Sequence, residues 1–108
     1  MKKEFRSKKV QERVERIQKM ESEFDSLQAA MSELKRAVHS YSELADSLHE
    51  LSAYYDGDWK QDLSADENGE LPSDLKRGVL SEDGLWNFFD DNRELADEMR
   101  RLCDEITL

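Results

Sequence analysis

A single proline and four glycines among 108 residues leave little punctuation for hairpins, which argues against an all-β fold and toward long helices. The lone cysteine, Cys103, permits neither an intrachain disulfide nor a multi-cysteine zinc site, so a reducing compartment is expected. No apolar run approaches the ~18 residues of a membrane span, and the basic start Met1-Lys2-Lys3 has no apolar segment behind it. The expectation is a soluble, cytoplasmic protein without a secretory leader. Large apolar residues are also few. Leu, Ile, Val and Phe number 23, about one residue in five, just above the level at which a highly charged chain stays disordered. The length allows one domain, residues 1–108, with a core that must be thin and patterned.

Charge is abundant and unevenly placed. Charged residues make up 39% of the chain and the formal net charge is −10. Residues 1–20 carry a net +5, however, and the remainder a net −15. A globally acidic surface repels phosphates, so nucleic-acid binding is not expected of the chain as a whole. The basic arm, residues 1–9, reads as a frayed, solvated helix start. Its sharper readings are contact with an acidic partner, with nucleic acid or lipid headgroups, or with the acidic half of a second copy.

Between Lys8 and Tyr55 there is neither Gly nor Pro. Apolar residues recur at Val10, Val14, Ile17, Met20, Phe24, Leu27, Met31, Leu34, Val38 and Tyr41, then at Leu44 or Ala45, Leu48, Leu51 and Tyr55. Their mean spacing, near 3.5 residues, is that of helices packing side by side in coiled-coil fashion. One continuous helix of this length spans about 70 Å, more than a compact chain of this size can cover. Either it runs through and its uncovered part dimerises, which is the favoured reading, or the chain folds back near Ser40, where Ser40-x-x-Glu43 fits a capping box.

The middle segment, residues 56–81, holds three of the four glycines and the proline, yet Leu63, Leu71, Leu75, Val79 and Leu80 recur through it. Six of the nine aromatic residues lie between positions 54 and 89, which predicts an aromatic centre shared with the last helix. Gly57 is expected as a left-handed cap, Asp58 as the N-cap of a short helix from Trp59 to Ala65, and Asp66-Glu67-Asn68-Gly69 as a turn. Pro72 presets a helical turn through Lys76, with Gly78 placed to cap it. Ser81 is the expected N-cap of the final helix, with Leu80 and Leu85 as its hydrophobic staple. That helix carries Leu85, Phe88, Asn92, Leu95, Met99, Leu102 and Ile106 on one seam, Asn92 being the polar position that sets register. The fold read from these signals is all-α: a long coiled-coil-like helix, a short-helix and turn region, and a C-terminal helix packed back on the long one.

Three strings, Tyr54-Tyr55-x-Gly57-x-Trp59, Asp66-Glu67-x-Gly69-x-Leu71-Pro72 and the run from Asp74 to Gly84, resemble the signature of a bacterial family of small proteins known only as domain of unknown function 4298. The resemblance implies a bacterial, cytoplasmic origin. It brings no activity, ligand or catalytic residue.

Chemistry finds little footing. Ser64-x-Asp66-x-Asn68-Gly69 begins like a calcium loop, but Ser64 stands where the first aspartate belongs and Leu75 where the bidentate carboxylate belongs. On a continuous helix His39 and His49 lie about 80° and ~15 Å apart, too far to share a metal. Asp46-x-x-His49 does share a face, although a di-iron bundle needs two such motifs and two further glutamates. Cys103 has no nearby histidine to activate it and reads as a buried or half-buried thiol. The glycines are too dispersed to cradle a phosphate. Lys76-Arg77 is a basic pair in the acidic half beside a helix start, but Glu82 and Asp83 already occupy that positive helix end.

The expectation is therefore a non-enzymatic helical interaction or scaffold module without cofactor or metal, acting as a homodimer with an unknown protein partner. Lys76, Arg77, Trp59 and Tyr55 are the candidate partner-binding residues. The alternatives are a small-ligand or metal-binding protein with its site in the aromatic and acidic middle segment, and an acidic nucleic-acid mimic.

Overall fold

The computed structural model describes residues 7–108. Of the basic arm, positions 1–6 lie outside the described residues. Ser7 starts the first helix, its Oγ accepting a hydrogen bond from the Val10 N–H at 3.1 Å, and Lys8 and Lys9 are already helical. Among the described residues the chain forms four α-helices and no strand: α1 (Lys8–Glu43), α2 (Ala45–Asp56), α3 (Trp59–Glu67) and α4 (Gly84–Ile106), with a 3-10 turn at Gly78–Leu80. By backbone proximity it divides into two compact units, Met1–Ala45 and Asp46–Leu108.

The first unit is α1. With no glycine or proline to interrupt it, the helix runs for 36 residues, about 54 Å, and none of them is buried. The long apolar stripe does not lie on one unbroken helix, as expected from its spacing. At Leu44 the N–H bonds to the Tyr41 carbonyl three residues back, so the ladder tightens to 3-10 geometry for one turn.

The second unit is built around its turns. α2 ends at Asp56, and the chain turns at Gly57, whose N–H bonds to the Tyr54 carbonyl. Gly57 does not adopt the left-handed conformation expected of it; Gly69 does, with φ of 73°. A side chain at Gly57 would instead meet the Ala53 carbonyl oxygen at 3.2 Å, a tight approach that glycine avoids. Asp58 sits at the N-cap of α3 without a side-chain capping bond, a second departure from expectation, and contributes its carbonyl to the Asp62 N–H. α3 closes in a Schellman motif: the Gly69 N–H bonds to the Asp66 carbonyl and the Glu70 N–H to the Ala65 carbonyl, which accounts for the left-handed glycine.

Pro72 starts a single turn, closed by the Leu75 N–H on the Pro72 carbonyl, and the chain does not continue as a helix to Lys76. Gly78 opens the 3-10 turn and does not cap a preceding helix. Regular helix in α4 begins at Gly84, but Ser81 performs the capping expected of it, since its Oγ accepts from the Gly84 N–H and donates to the Gly78 carbonyl, both at 3.1 Å. Leu80 and Leu85, the expected staple pair, are 8% and 5% exposed and are the buried apolar residues among those described. Around them Tyr55, Trp59, Leu63 and Phe89 are half-buried.

Candidate functional site

Two surfaces concentrate features beyond simple packing, one in each unit. In the second unit, the segment between α3 and the 3-10 turn lacks regular secondary structure, so its carbonyls need donors from elsewhere. Arg77 supplies them. Its Nη2 donates to the Pro72 carbonyl at 2.8 Å and its Nη1 to the carbonyls of Leu75 and Ser73 at 3.1 and 3.4 Å. Its Nε donates to Asp66 Oδ1 at 2.8 Å, with both side chains partly shielded at 32% and 22% exposure. A planar guanidinium with five donors can serve all these acceptors at once. The result is a clamp that ties the loop to the C-terminal end of α3.

The other expected site residues lie close by in the fold. Trp59 and Tyr55 pack ring to ring at a centroid distance of 4.8 Å, Tyr55 packs on Phe89 at 5.6 Å, and Phe89 meets Phe88 edge-on. The aromatic centre therefore forms with the C-terminal helix as the sequence predicts, and it joins α4 to the last turn of α2. Trp59 Nε1 donates to the Val79 carbonyl at 2.7 Å, fixing α3 to the 3-10 turn. Lys76 is exposed, and so is Trp86 at 58%. Arg77, Trp59 and Tyr55 thus sit in one network of contacts internal to the unit. Neither residue of the Asp66–Arg77 pair is marked for the other by local sequence pattern, because they stand eleven positions apart across an irregular loop.

Tyr54 donates its hydroxyl hydrogen to Asp62 Oδ2 at 2.8 Å across the α2–α3 corner. Partial burial, this bond and the negative charges of Asp62 and Asp58 push its pKa from 10 up to about 12. The acidic groups do not converge elsewhere: among the described residues no cluster of three or more His, Cys, Asp or Glu side chains is placed to hold a metal ion. Asp66, central to the calcium-loop pattern, has its carboxylate engaged by Arg77. His39 faces Glu43 at 3.6 Å, one turn further along α1. Cys103 is exposed, against the expectation of a buried thiol, because it flanks the α4 seam on the solvent side. A shallow depression beside α3, lined by Gly57, Lys60, Ser64, Asn68 and Glu70 among others, is open to solvent.

The second surface is the stripe of α1. Ile17, Phe24, Leu27 and Met31 are 55–65% exposed, and Val10, Met20, Leu34, Val38 and Tyr41 are exposed as well. From Val10 to Tyr41 these side chains form one exposed apolar band along about nine turns of helix, more than scattered surface apolar residues make.

A family model described as Domain of unknown function (DUF4298) matches residues 17–102. The chain belongs to this family. The DUF4298 match runs from Ile17 on the α1 stripe to Leu102 in α4, so it takes in the Asp66–Arg77 clamp, the aromatic centre and most of the stripe. No curated protein and no solved structure matches the chain. Among the described residues no helix is long and apolar enough to cross a membrane.

Proposed function

We propose that this DUF4298 protein is a non-enzymatic helical interaction module whose working surface is the apolar stripe of α1. The observation that carries this reading is a helix of 36 residues with no buried side chain and a regular row of large apolar ones. A helix in a protein gains most of its stability from packing an amphipathic face against another surface. Such a helix is stably formed when a protein surface covers its stripe. The second unit supplies a separately built element with its own clamp and aromatic centre. Arg77, Trp59 and Tyr55 hold that element together, and the partner-facing role moves to α1.

Amide hydrogen exchange on the full chain tests this reading. With the stripe covered, amides from Met20 to Tyr41 are expected to exchange slowly, and Leu27→Glu with Leu34→Glu is expected to abolish that protection while leaving the amides of α3 and α4 unchanged. Fast exchange throughout α1 in the unaltered protein would overturn it.

A further inference from the structure

We infer that the surface covering the α1 stripe is the α1 stripe of a second copy, running parallel and in register. This rests on the interaction-module reading above and names its partner. Counted in sevens, the stripe resolves into two rows without a break. One row is Val10, Ile17, Phe24, Met31 and Val38; the other, three residues on in each repeat, is Arg13, Met20, Leu27, Leu34 and Tyr41. A strict seven-residue repeat over five heptads is the condition for two helices to supercoil left-handed with their seams kept together. Three of the five residues in the first row are β-branched, and the second row centres on Leu27 and Leu34, the distribution that favours a parallel pair.

The charges beside the seam point to the same arrangement. In a parallel, in-register pair each residue just before the first row faces, across the seam, the residue five positions later on the other helix. Arg16 then meets Glu21 of the other copy, and symmetry repeats the pair. Glu23 meets Gln28, Ala30 meets Lys35 and Ala37 meets Ser42, so no like charges face one another. Laid antiparallel with α1 overlapped end to end, Arg16 faces Ala37 and Glu21 faces Gln28, and no opposite charges meet. Arg13 is the one charged residue in the seam; near the start of the helix its aliphatic stem covers the apolar row while its guanidinium reaches solvent.

Three measurements on the full chain decide the matter. Sedimentation equilibrium is expected to give the mass of two chains. In a Cys103→Ser background, Val10→Cys is expected to form an interchain disulfide under mild oxidation, because position 10 faces its own copy only in the parallel register. Arg16→Glu is expected to weaken dimerisation about three- to tenfold, and adding Glu21→Arg to restore it, as the reversed pair still faces its complement. A dimer that forms no disulfide at position 10, yet cross-links when Val10→Cys and Tyr41→Cys chains are mixed, would overturn the parallel arrangement while leaving the interaction-module reading intact. A monomer with slowly exchanging α1 amides would overturn the second copy as the partner and likewise spare that reading. A monomer with fast-exchanging α1 amides would overturn both.

Discussion

Arg77 holds Asp66 through its Nε at 2.8 Å while the far side of the same guanidinium collects three backbone carbonyls from the loop between them. This relationship turns the irregular chain between α3 and the 3-10 turn, residues 68–77, into a closed unit, because it engages acceptors that no helix or sheet serves.

Arg77→Ala is therefore expected to lower the stability of the second unit by about 1–2 kcal/mol, the effect of losing one part-buried charged hydrogen bond to Asp66 together with three exposed ones to loop carbonyls. Arg77→Lys recovers only a fraction, since an ammonium lacks the planar fork. Lys76→Ala, on an exposed side chain, changes stability by less than about 0.5 kcal/mol. Urea unfolding followed by circular dichroism separates the two positions, and equal effects would contradict the clamp.

Trp59 contributes through its ring and through its N–H. Trp59→Phe keeps the packing on Tyr55 and loses the bond to the Val79 carbonyl, an expected cost of about 0.5–1.5 kcal/mol. Trp59→Ala removes both, and because the residue is half-buried about 2–4 kcal/mol is expected. Thermal melting of the two variants checks the order.

Glycine at position 84 is required by contact. A Cβ there would collide with Ser81 Oγ, the capping hydroxyl, and sit 3.1 Å from the Gly78 carbonyl oxygen. Gly84→Ala is expected to destabilise by about 1–3 kcal/mol, as overpacking does, and to reverse the usual gain from replacing a helical glycine. At Gly78, where a Cβ meets nothing within 4 Å, alanine is tolerated. Melting temperatures of the two single variants read the contrast directly.

The features legible in the sequence are those set by nearby residues. The α1 stripe follows from its spacing. The turn at Asp66–Gly69 follows from its composition, and the Leu80–Leu85 staple from the helix start between them. What escaped reading depends on residues meeting from a distance or on a small choice between similar signals. Gly57 and Gly69 both follow helices, and only the Schellman bonds at Ala65 and Asp66 single out the second as left-handed. The interruption at Leu44 has no glycine or proline to announce it. That Arg77 takes Asp66 and three loop carbonyls is not announced by the sequence, because the loop between the two residues has no pattern of its own.

Tyr54 gives the structure a signature at high pH. Its pKa stands above the ordinary 10, so the stabilisation from its bond to Asp62 is complete below pH 10 and is lost as pH climbs toward about 12. Ultraviolet titration is expected to show one tyrosine ionising near the top of that range, and Tyr54→Phe to remove that step. An unchanged titration in the variant would contradict the Tyr54–Asp62 bond.

The most direct test of the α1 stripe as an interface between copies is sedimentation equilibrium of the full chain from about 1 to 100 μM, with and without Leu27→Glu. Each buried leucine contributes about 1.5–3 kcal/mol, and the substitution strikes both copies at once, so dissociation is expected to strengthen by at least about a hundredfold. The expected result is the mass of two chains for the unaltered protein, shifting to that of one chain in the variant. A single-chain mass for the unaltered protein across the whole range would contradict it.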